Sequence, residues 1–480
     1  MGPYPHVDRL WSLACLGPRD SVSTYKRYHI ETKPAPDLYP HPSRFRVRVK
    51  KHRLIGLLLK ELVQYRGNMP VVLSRPCVYG VFSGPLGGLA PREHSCVGCL
   101  RCTTQYPDIV QIHPNPERAG LPGSDLGPDQ VDTILYEART GRVPVRGAGY
   151  RGMFGGPGWD GMWTDMSEIV RPTRDGIHGR EFISTVTEIG EKPPYLAFDE
   201  EGRVSGSEPR VFAIQVPFLF DVPPPAVRSD ALLHVTAEAA RRIDSLAVVP
   251  FPLAAGLPES PEVVPLVRSE EDAALERMCW IPRMLLLEGW NRERYERIRG
   301  RFPESVVAVR VPAGTDVPEM VRAGARVLHL VADETARAGG RFFGDVILEI
   351  HRKLVLDGVR EEVTLIGSGG IVLAEHVPKA IICGLDAVAL EMAPMVALQA
   401  RFRGPGRDPG AAAIRLPGLD HTWAVQRLVN LSASWRDQLL EILGAMGLRE
   451  VRRLRGEVGR CMFQKELERE AFAGIEGYEG

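Results

Sequence analysis

The sequence predicts an α/β protein: a (β/α)8 TIM-type barrel, preceded by a cysteine-bearing segment and followed by a C-terminal helical tail. Between residues 210 and 390, eight short apolar segments alternate with helical patterns, as parallel strands joined by helical crossovers do. The 480 residues are 44% hydrophobic, which is enough for a large core. No apolar run reaches the roughly 20 residues that a membrane span needs. An open doubly wound sheet is the alternative architecture.

The predicted strands are short and rich in Val, Leu and Ile. They are Val211–Val216, Ser245–Pro250, Val263–Val267, Arg283–Leu287, Val306–Val311, Val327–Val331, Val363–Gly367 and Ala387–Leu390. The helices predicted between them are Val235–Asp244, Glu270–Met278, Arg292–Gly300, Glu319–Gly324, Phe343–Leu356 and Glu375–Cys383.

Three further helices are predicted outside the barrel, over Leu54–Tyr65, Thr422–Met446 and Cys461–Phe472. Glycines and prolines between Gly404 and Gly418 predict a loop. We therefore divide the chain into an N-terminal region with the cysteines (1–140), the barrel (165–400) and a C-terminal loop with helices (401–480).

The charge of the chain excludes some classes of function. Lys and Arg number 60, as do Asp and Glu, so there is no global electrostatic case for binding nucleic acid. We interpret the basic run from Arg44 to Arg53 as a solvated strand or loop. The first twenty residues lack the apolar centre of a secretory signal, so a cytoplasmic location is expected.

A glycine turn follows the seventh predicted strand. Ser368, Gly369 and Gly370 stand between that strand and a helix, where glycines let backbone N–H groups approach an anion. Barrels frequently bind a phosphate after strands seven and eight, so these three residues are candidate phosphate ligands. The alternative is a tight turn that uses glycine for positive φ.

The cysteines provide a second chemical signal. Cys96, Cys99 and Cys102 form a C-x2-C-x2-C run, which is typical of an iron–sulfur segment, but the fourth cysteine before Pro107 is missing. Cys77 is the nearest candidate for the fourth ligand. Four thiolates suit a [4Fe–4S] cluster or a tetrahedral zinc ion. The cluster is favoured because structural zinc usually uses two paired C-x2-C knuckles.

The runs Val363–Ile371 and Ala380–Ala389 resemble the end of the FMN-binding barrel of the glutamate synthases. Asp437–Gly447 resembles the helix that follows that barrel, and Glu168–Gly190 resembles the approach segment of the archaeal-type single-domain members. The resemblance covers residues 165–475 and is weak between 210 and 340.

This resemblance implies FMN across the C-terminal mouth of the barrel, with its phosphate at Ser368, Gly369 and Gly370. It implies reductive transfer of ammonia to a 2-oxo acid such as 2-oxoglutarate. The partners would be a small-molecule amino donor and an electron-donor protein or subunit. The nearest counterpart of a family lysine beside the flavin is Arg310, where a cation would stabilise the anionic reduced ring. The alternative for Arg310 is a structural ion pair with a carboxylate.

Three departures from the family pattern leave two hypotheses open. Gln215–Phe220 replaces a first-strand motif rich in Gly and Ser, Glu391 stands where small residues leave room for phosphate, and Ala400–Gly410 lacks cysteine. The first hypothesis is a flavin-dependent, glutamate synthase-like oxidoreductase fed through an iron–sulfur site. The second is a non-catalytic electron-relay or assembly subunit of a larger redox complex.

Overall fold

The computed structural model describes residues 28–39, 41–74, 77–84, 87–115, 126–144, 155–164, 183–193, 197–205, 210–403, 413–416 and 418–472. Eight parallel strands close into a barrel in which each strand pairs with the next, and the eighth pairs with the first. The barrel is therefore confirmed, and the open sheet is excluded. Its strands are Phe218–Phe220, Ala247–Pro250, Val263–Val267, Met284–Glu288, Val306–Pro312, Val327–Val331, Thr364–Ser368 and Ala387–Leu390.

Helical segments follow the strands and cover the outside of the barrel. They are Asp230–Arg242, Phe251–Ala254, the 3-10 helix Ser269–Arg277, Arg292–Arg301, Val317–Arg322, Phe343–Leu356, His376–Cys383 and Met392–Ala397. Three of them begin at Ser229, Asn291 and Asp316, whose side chains accept a backbone N–H of the first turn. Such caps fix where each helix starts.

The prediction for the first strand was wrong. Val211–Ile214 pairs antiparallel with Thr187–Gly190 outside the barrel, and Phe218–Phe220 is the first barrel strand. All three residues of Phe218–Phe220 are buried, whereas Val211–Ile214 is only partly so. Ile189 and Ile214 of the antiparallel pair are buried with the interior side chains of the barrel, so this hairpin closes its amino end.

The N-terminal region contributes helices and one two-stranded sheet. Phe45–Val49 pairs antiparallel with Val110–Pro114. The predicted helix over Leu54–Tyr65 is confirmed as Lys51–Gln64. The other helical segments among its described residues are Met69–Ser74, Gly87–Leu89, Glu93–Ser95, Arg101–Gln105 and Pro128–Thr140, and the 3-10 turn Gly158–Gly161 follows this region.

The C-terminal tail is helical, with one correction. The predicted helix over Thr422–Met446 is confirmed as His421–Ala445, which packs on Pro128–Thr140. Cys461–Phe463 is a strand paired with Met162–Thr164, because the chain there lies against a partner strand. The last helix is therefore only Gln464–Phe472.

The remaining described elements are short antiparallel strand pairs and 3-10 turns. The pairs are Ala197–Phe198 with Val204–Ser205, Arg337–Ala338 with Arg341–Phe342, and Arg401–Arg403 with Ala413–Arg415. The turns are Arg360–Glu362, Val451–Leu454 and Val458–Arg460. Most of the predicted loop 404–418 and of the approach segment 168–190 lies outside the described residues. Among the helices that the structure describes, none has the length and apolarity to cross a membrane.

Candidate active site

Polar side chains gather at the carboxyl ends of the barrel strands, which all open at one mouth. Asp221 follows the first strand, Arg310 lies near the end of the fifth, and His329 lies in the sixth. Ser368 ends the seventh strand, and Glu391 follows the eighth. Neighbouring strands place Arg310 opposite His329 in the ladder. These residues therefore form one site from five strands.

Asp221 is the buried anion of this site. Its Oδ2 accepts a hydrogen bond from Arg310 Nη2 at 3.3 Å, and its Oδ1 accepts one from the Val222 N–H at 2.8 Å. Burial would raise the pKa of Asp221, but His329, Arg310 and the hydrogen bonds from Val222 and Arg310 hold it below the usual value. Asp221 is therefore ionised, and Arg310 is its counter-charge. The carboxylate partner foreseen for Arg310 exists.

His329 is neutral at neutral pH, because burial lowers its pKa to about 4. Its Nε2 lies 3.1 Å from Ser368 Oγ and 3.7 Å from Asp221 Oδ2. Serine and aspartate thus face the same ring nitrogen. A hydrolytic triad needs them on opposite nitrogens, so this cluster does not activate Ser368 as a nucleophile.

Glu391 is the titratable group at the rim. Burial raises its pKa to about 7, and the negative charges of Asp221 and Glu334 add to this. Arg310 and Arg228 act in the opposite direction. Glu391 therefore exchanges a proton near neutral pH, which is what a general acid or base requires.

Two buried polar atoms in this part of the barrel lack a hydrogen-bond partner among the described residues. They are Arg310 Nε and Glu334 Oε1. Buried polar atoms in folded proteins are normally paired, and exceptions call for an explanation such as a bound group. One donor and one acceptor are therefore left over at the mouth.

The three predicted phosphate ligands divide into two kinds. Ser368 is buried in the barrel and bonded to His329. Gly369 and Gly370 have φ of +131° and +63°, and a Cβ on either would lie within 2.6 Å of Ala332 or Ala336. Both glycines are thus required by the packing of the loop after the sixth strand. The tight-turn alternative accounts for them, and their backbone role toward a phosphate remains a prediction.

The structure brings the four predicted cysteine ligands together. Cys77 and Cys102 are buried in one small apolar cluster, against which Cys96 packs. Burial raises the pKa of Cys96 to about 11, and the Gly98 N–H acts against this by a hydrogen bond. The other three thiols are near enough to raise the pKa of Cys96 further. Distant segments of the chain therefore converge on one thiol site.

The separation of these thiols bears on a zinc site. In tetrahedral zinc, with Zn–S of about 2.3 Å, the sulfurs would lie about 3.8 Å apart. No three of the described cysteines have their sulfurs within 4.8 Å of one another. A four-iron cluster holds its cysteines farther apart, because each sulfur binds a different iron. The described cysteines therefore do not form a preformed tetrahedral zinc site.

A third polar cluster lies beside the loop after the seventh strand. Asp160, Glu375 and His376 could each offer a ligand atom, next to a cavity of about 430 Å³. His376 Nε2 lies 2.7 Å from Asp160 Oδ1, and its Nδ1 accepts from the Val372 N–H. Lys379 Nζ lies 3.6 Å from Glu375. These groups satisfy one another, and the lysine opposes a cation.

Sequence reasoning found Arg310, Ser368 and Glu391 but missed Asp221, His329 and Glu334. Asp221 was missed because the first strand was predicted at Val211–Val216, whereas Asp221 follows the observed first strand, Phe218–Phe220. His329 sits inside the apolar run Val327–Val331, which reads as core. A polar residue in a buried barrel strand was the available signal.

Residues 340–449 match the conserved region in glutamate synthase. The archaeal-type glutamate synthase [NADPH] of Dehalococcoides mccartyi is 28% identical over 132 residues, covering 27% of this chain and 25% of the relative. Over these stretches the chain is similar to glutamate synthase. Its match spans about a quarter of the length of that curated relative.

Several solved structures are similar to this chain in fold. An IMP dehydrogenase/GMP reductase-like protein from Corynebacterium glutamicum is 16% identical, with a TM-score of 0.39, covering 64% of this chain and 94% of its own. A flavocytochrome b2 mutant with pyruvate bound is 12% identical, with a TM-score of 0.40, covering 67% and 82%.

Proposed function

We propose that the protein is a flavin-dependent oxidoreductase of the glutamate synthase kind, with FMN at the barrel mouth. The observation that carries this proposal is the match of residues 340–449, which include the seventh and eighth strands, to the conserved region in glutamate synthase. Those two strands end at the mouth where the polar side chains gather.

Arg310 is the residue that fits a flavin ring. Its Nη2 is held by Asp221, while its buried Nε has no partner among the described residues. A fixed guanidinium with one spare donor suits the oxygen and nitrogen edge of the ring and would stabilise the reduced anion. When bound, FMN supplies hydride transfer, which no side chain of this chain can perform.

Glu391 decides whether the phosphate fits. An ionised carboxylate would repel it, whereas the neutral acid does not and can donate a hydrogen bond. Because burial raises the pKa of Glu391 to about 7, the neutral form is abundant at neutral pH. The backbone at Gly369 and Gly370 then remains the proposed phosphate contact, with FMN binding coupled to protonation of Glu391.

The proposed reaction is amino transfer to a 2-oxo acid such as 2-oxoglutarate, from a small-molecule amino donor. Glu391 is suited to hold or release the proton that imine chemistry needs, since its pKa lies near neutral pH. Arg310 would position the ring, and the hydrogen bond from Arg310 to Asp221 keeps the guanidinium oriented.

The proposed electron supply is a [4Fe–4S] cluster on Cys77, Cys96, Cys99 and Cys102. In support, the described sulfurs do not form the tight tetrahedron that zinc requires. The Gly98 N–H to Cys96 contact is of the kind that tunes cluster potential. An electron-donor protein or subunit would reduce this site.

The test is the visible spectrum of anaerobically purified protein, together with assays of FMN, iron and acid-labile sulfide. We expect flavin bands near 450 nm, about one FMN and about four irons per chain. Protein that lacks FMN, and stays flavin-free when FMN is added, would contradict the proposal.

That outcome would favour the non-catalytic relay or assembly subunit. The observation that supports this alternative is that the loop containing Ala332 and Ala336 occupies the space beside Gly369 and Gly370. Retained iron without flavin would assign the chain to relay, and loss of both would assign it to assembly.

A further inference from the structure

The Lys51–Gln64 helix is apolar on two opposite faces. Leu54 on one face is buried, whereas Ile55, Leu59 and Val63 on the other are 46%, 60% and 81% exposed. These three residues are spaced four apart, so they form one line along the helix. We call them the exposed stripe. An exposed group of apolar residues that is rimmed by polar residues is typical of an interaction surface.

The region around the stripe is strongly basic. Residues 41–115 hold eleven Lys and Arg against three Asp and Glu, a net charge of +8 in a chain with no net charge. Glu61 is buried and accepts from Tyr106, Glu93 accepts from the Val47 N–H, and Asp108 pairs with Arg53. The net charge of +8 already includes these three acids, so the excess of positive charge around the stripe remains.

Lys51 and Lys60 are exposed on the stripe helix itself. A partner that covers apolar residues ringed by lysines must present its own apolar residues within an acidic surface. Charge complementarity of this kind steers the encounter, while the apolar contacts hold it briefly.

The stripe helix also lies directly against the cysteine segment. Glu61 accepts a hydrogen bond from Tyr106 Oη at 3.1 Å, and the Tyr106 N–H donates to the carbonyl of Cys102 at 2.9 Å. The Lys50 N–H donates to the carbonyl of Ile109 at 2.9 Å. A protein bound on the stripe would therefore be separated from the cysteine segment by the width of this helix, about 10 Å.

We propose that the exposed stripe, with Lys51 and Lys60, is the docking surface of an acidic one-electron carrier protein. This inference rests on the proposed cluster at the four cysteines. One electron passes from the reduced carrier to the cluster, so the carrier is oxidised and the cluster reduced, with no bond or proton changed. The contact is small and transient, as electron-transfer complexes are.

The probe is a purified acidic [2Fe–2S] ferredoxin, with basic cytochrome c as the charge control. Binding is measured by calorimetry at low and high salt, and electron transfer by anaerobic stopped-flow. We expect Leu59→Ser and Lys60→Glu each to weaken ferredoxin binding at least tenfold. Leu356→Ser is the matched control, because Leu356 is 86% exposed at the end of a barrel helix. Cytochrome c should not bind.

Iron content and reduction by dithionite are measured in every variant, so that a damaged cluster is recognised. Unchanged ferredoxin binding in both variants would overturn the docking surface. The docking surface would also be overturned if Leu59→Ser weakened only the binding to phosphatidylserine vesicles. The same holds if it weakened only self-association of the protein, measured by sedimentation. An iron-free protein that still binds ferredoxin through the stripe would instead refute the proposed electron supply.

Discussion

The sequence leaves two roles open for Arg310, a structural ion pair and a contact with the flavin ring. It forms the ion pair with Asp221, and its Nε remains for a ligand. The ion pair is what makes the second role useful, because it fixes the guanidinium plane before anything binds. A lysine at this position would keep the positive charge. Its single ammonium group could not both pair with Asp221 and hold a second fixed donor toward a ligand.

Glu391 should make FMN binding depend on pH. Binding a phosphate favours the neutral acid, so affinity should fall as pH rises above about 7, by up to tenfold per unit. Glu391→Gln keeps the shape without the titration, and its affinity should be flat between pH 7 and 8.5. Quenching of FMN fluorescence measures both. A wild-type profile that matches the variant's would remove Glu391 from the phosphate site.

His329 should make the fold sensitive to acid. Its pKa is lowered to about 4 in the folded state, against about 6.5 when unfolded, so protonation favours the unfolded chain. Its contribution is complete above pH 6.5 and is lost as pH falls toward 4. Between pH 7 and 5 this costs about 2 kcal/mol of unfolding free energy. The unfolding free energy of His329→Asn, measured by urea titration, should fall by correspondingly less between pH 7 and pH 5. Equal losses would contradict a buried neutral histidine.

At the scale of elements, the proposed cluster would join two parts of the chain, the turn with Cys77 and the segment with Cys96, Cys99 and Cys102. Ala in place of Cys96, Cys99 or Cys102 should remove iron and sulfide, and Cys77→Ala tests the remote ligand. Cys279→Ala is the control, since Cys279 is exposed and lies outside the segment. Iron content identical in all five variants would reject the cluster. Iron unchanged only in Cys77→Ala would mean that another group is the fourth ligand.

Replacing Gly370 in the turn after the seventh strand should destabilise the protein more than its positive φ alone explains. Gly370 and Gly358 have similar φ of +63° and +72°, but only Gly370 would place a Cβ within 2.5 Å of Ala336. Gly358→Ala should cost about 1 kcal/mol, and Gly370→Ala about 2 kcal/mol or more. Urea midpoints compare them. Equal costs would mean that the loop moves aside and leaves room at the mouth.

Much of the barrel was predictable because each strand is a short apolar run between helical patterns. The first strand failed because Phe218–Phe220 has three residues after a proline, too few to show a period. His329 and Asp221 were missed because their meaning lies in partners far along the chain. Likewise, no local pattern says that Ala336 fills the space beside Gly370.

At the scale of the whole molecule, Arg427 joins three parts of the chain. It is fully buried and donates to the carbonyls of Ala397 and Ala35 and to the carboxylate of Asp37. The barrel's last helix, the C-terminal helix and residues 28–39 meet at this one guanidinium. Removing one partner of a buried charge pair is costly.

Arg427→Met should lower the unfolding free energy by about 3 kcal/mol and speed amide exchange at residues 30–37. Arg297→Met is the matched control, because that side chain is 63% exposed and its pair with Asp272 contributes less than about 1 kcal/mol. Exchange in 30–37 that is unaffected by Arg427→Met would show that this segment is held by other contacts.

The basic character of residues 41–115 has a consequence for how the protein behaves on a column. A chain with no net charge that carries +8 in one segment carries −8 in the remainder, so it is an electric dipole. Both kinds of ion-exchange resin would then retain it near its isoelectric point of about 7.2, each by a different end. Elution from the cation exchanger would shift with Lys60→Glu and hardly at all with changes on the barrel.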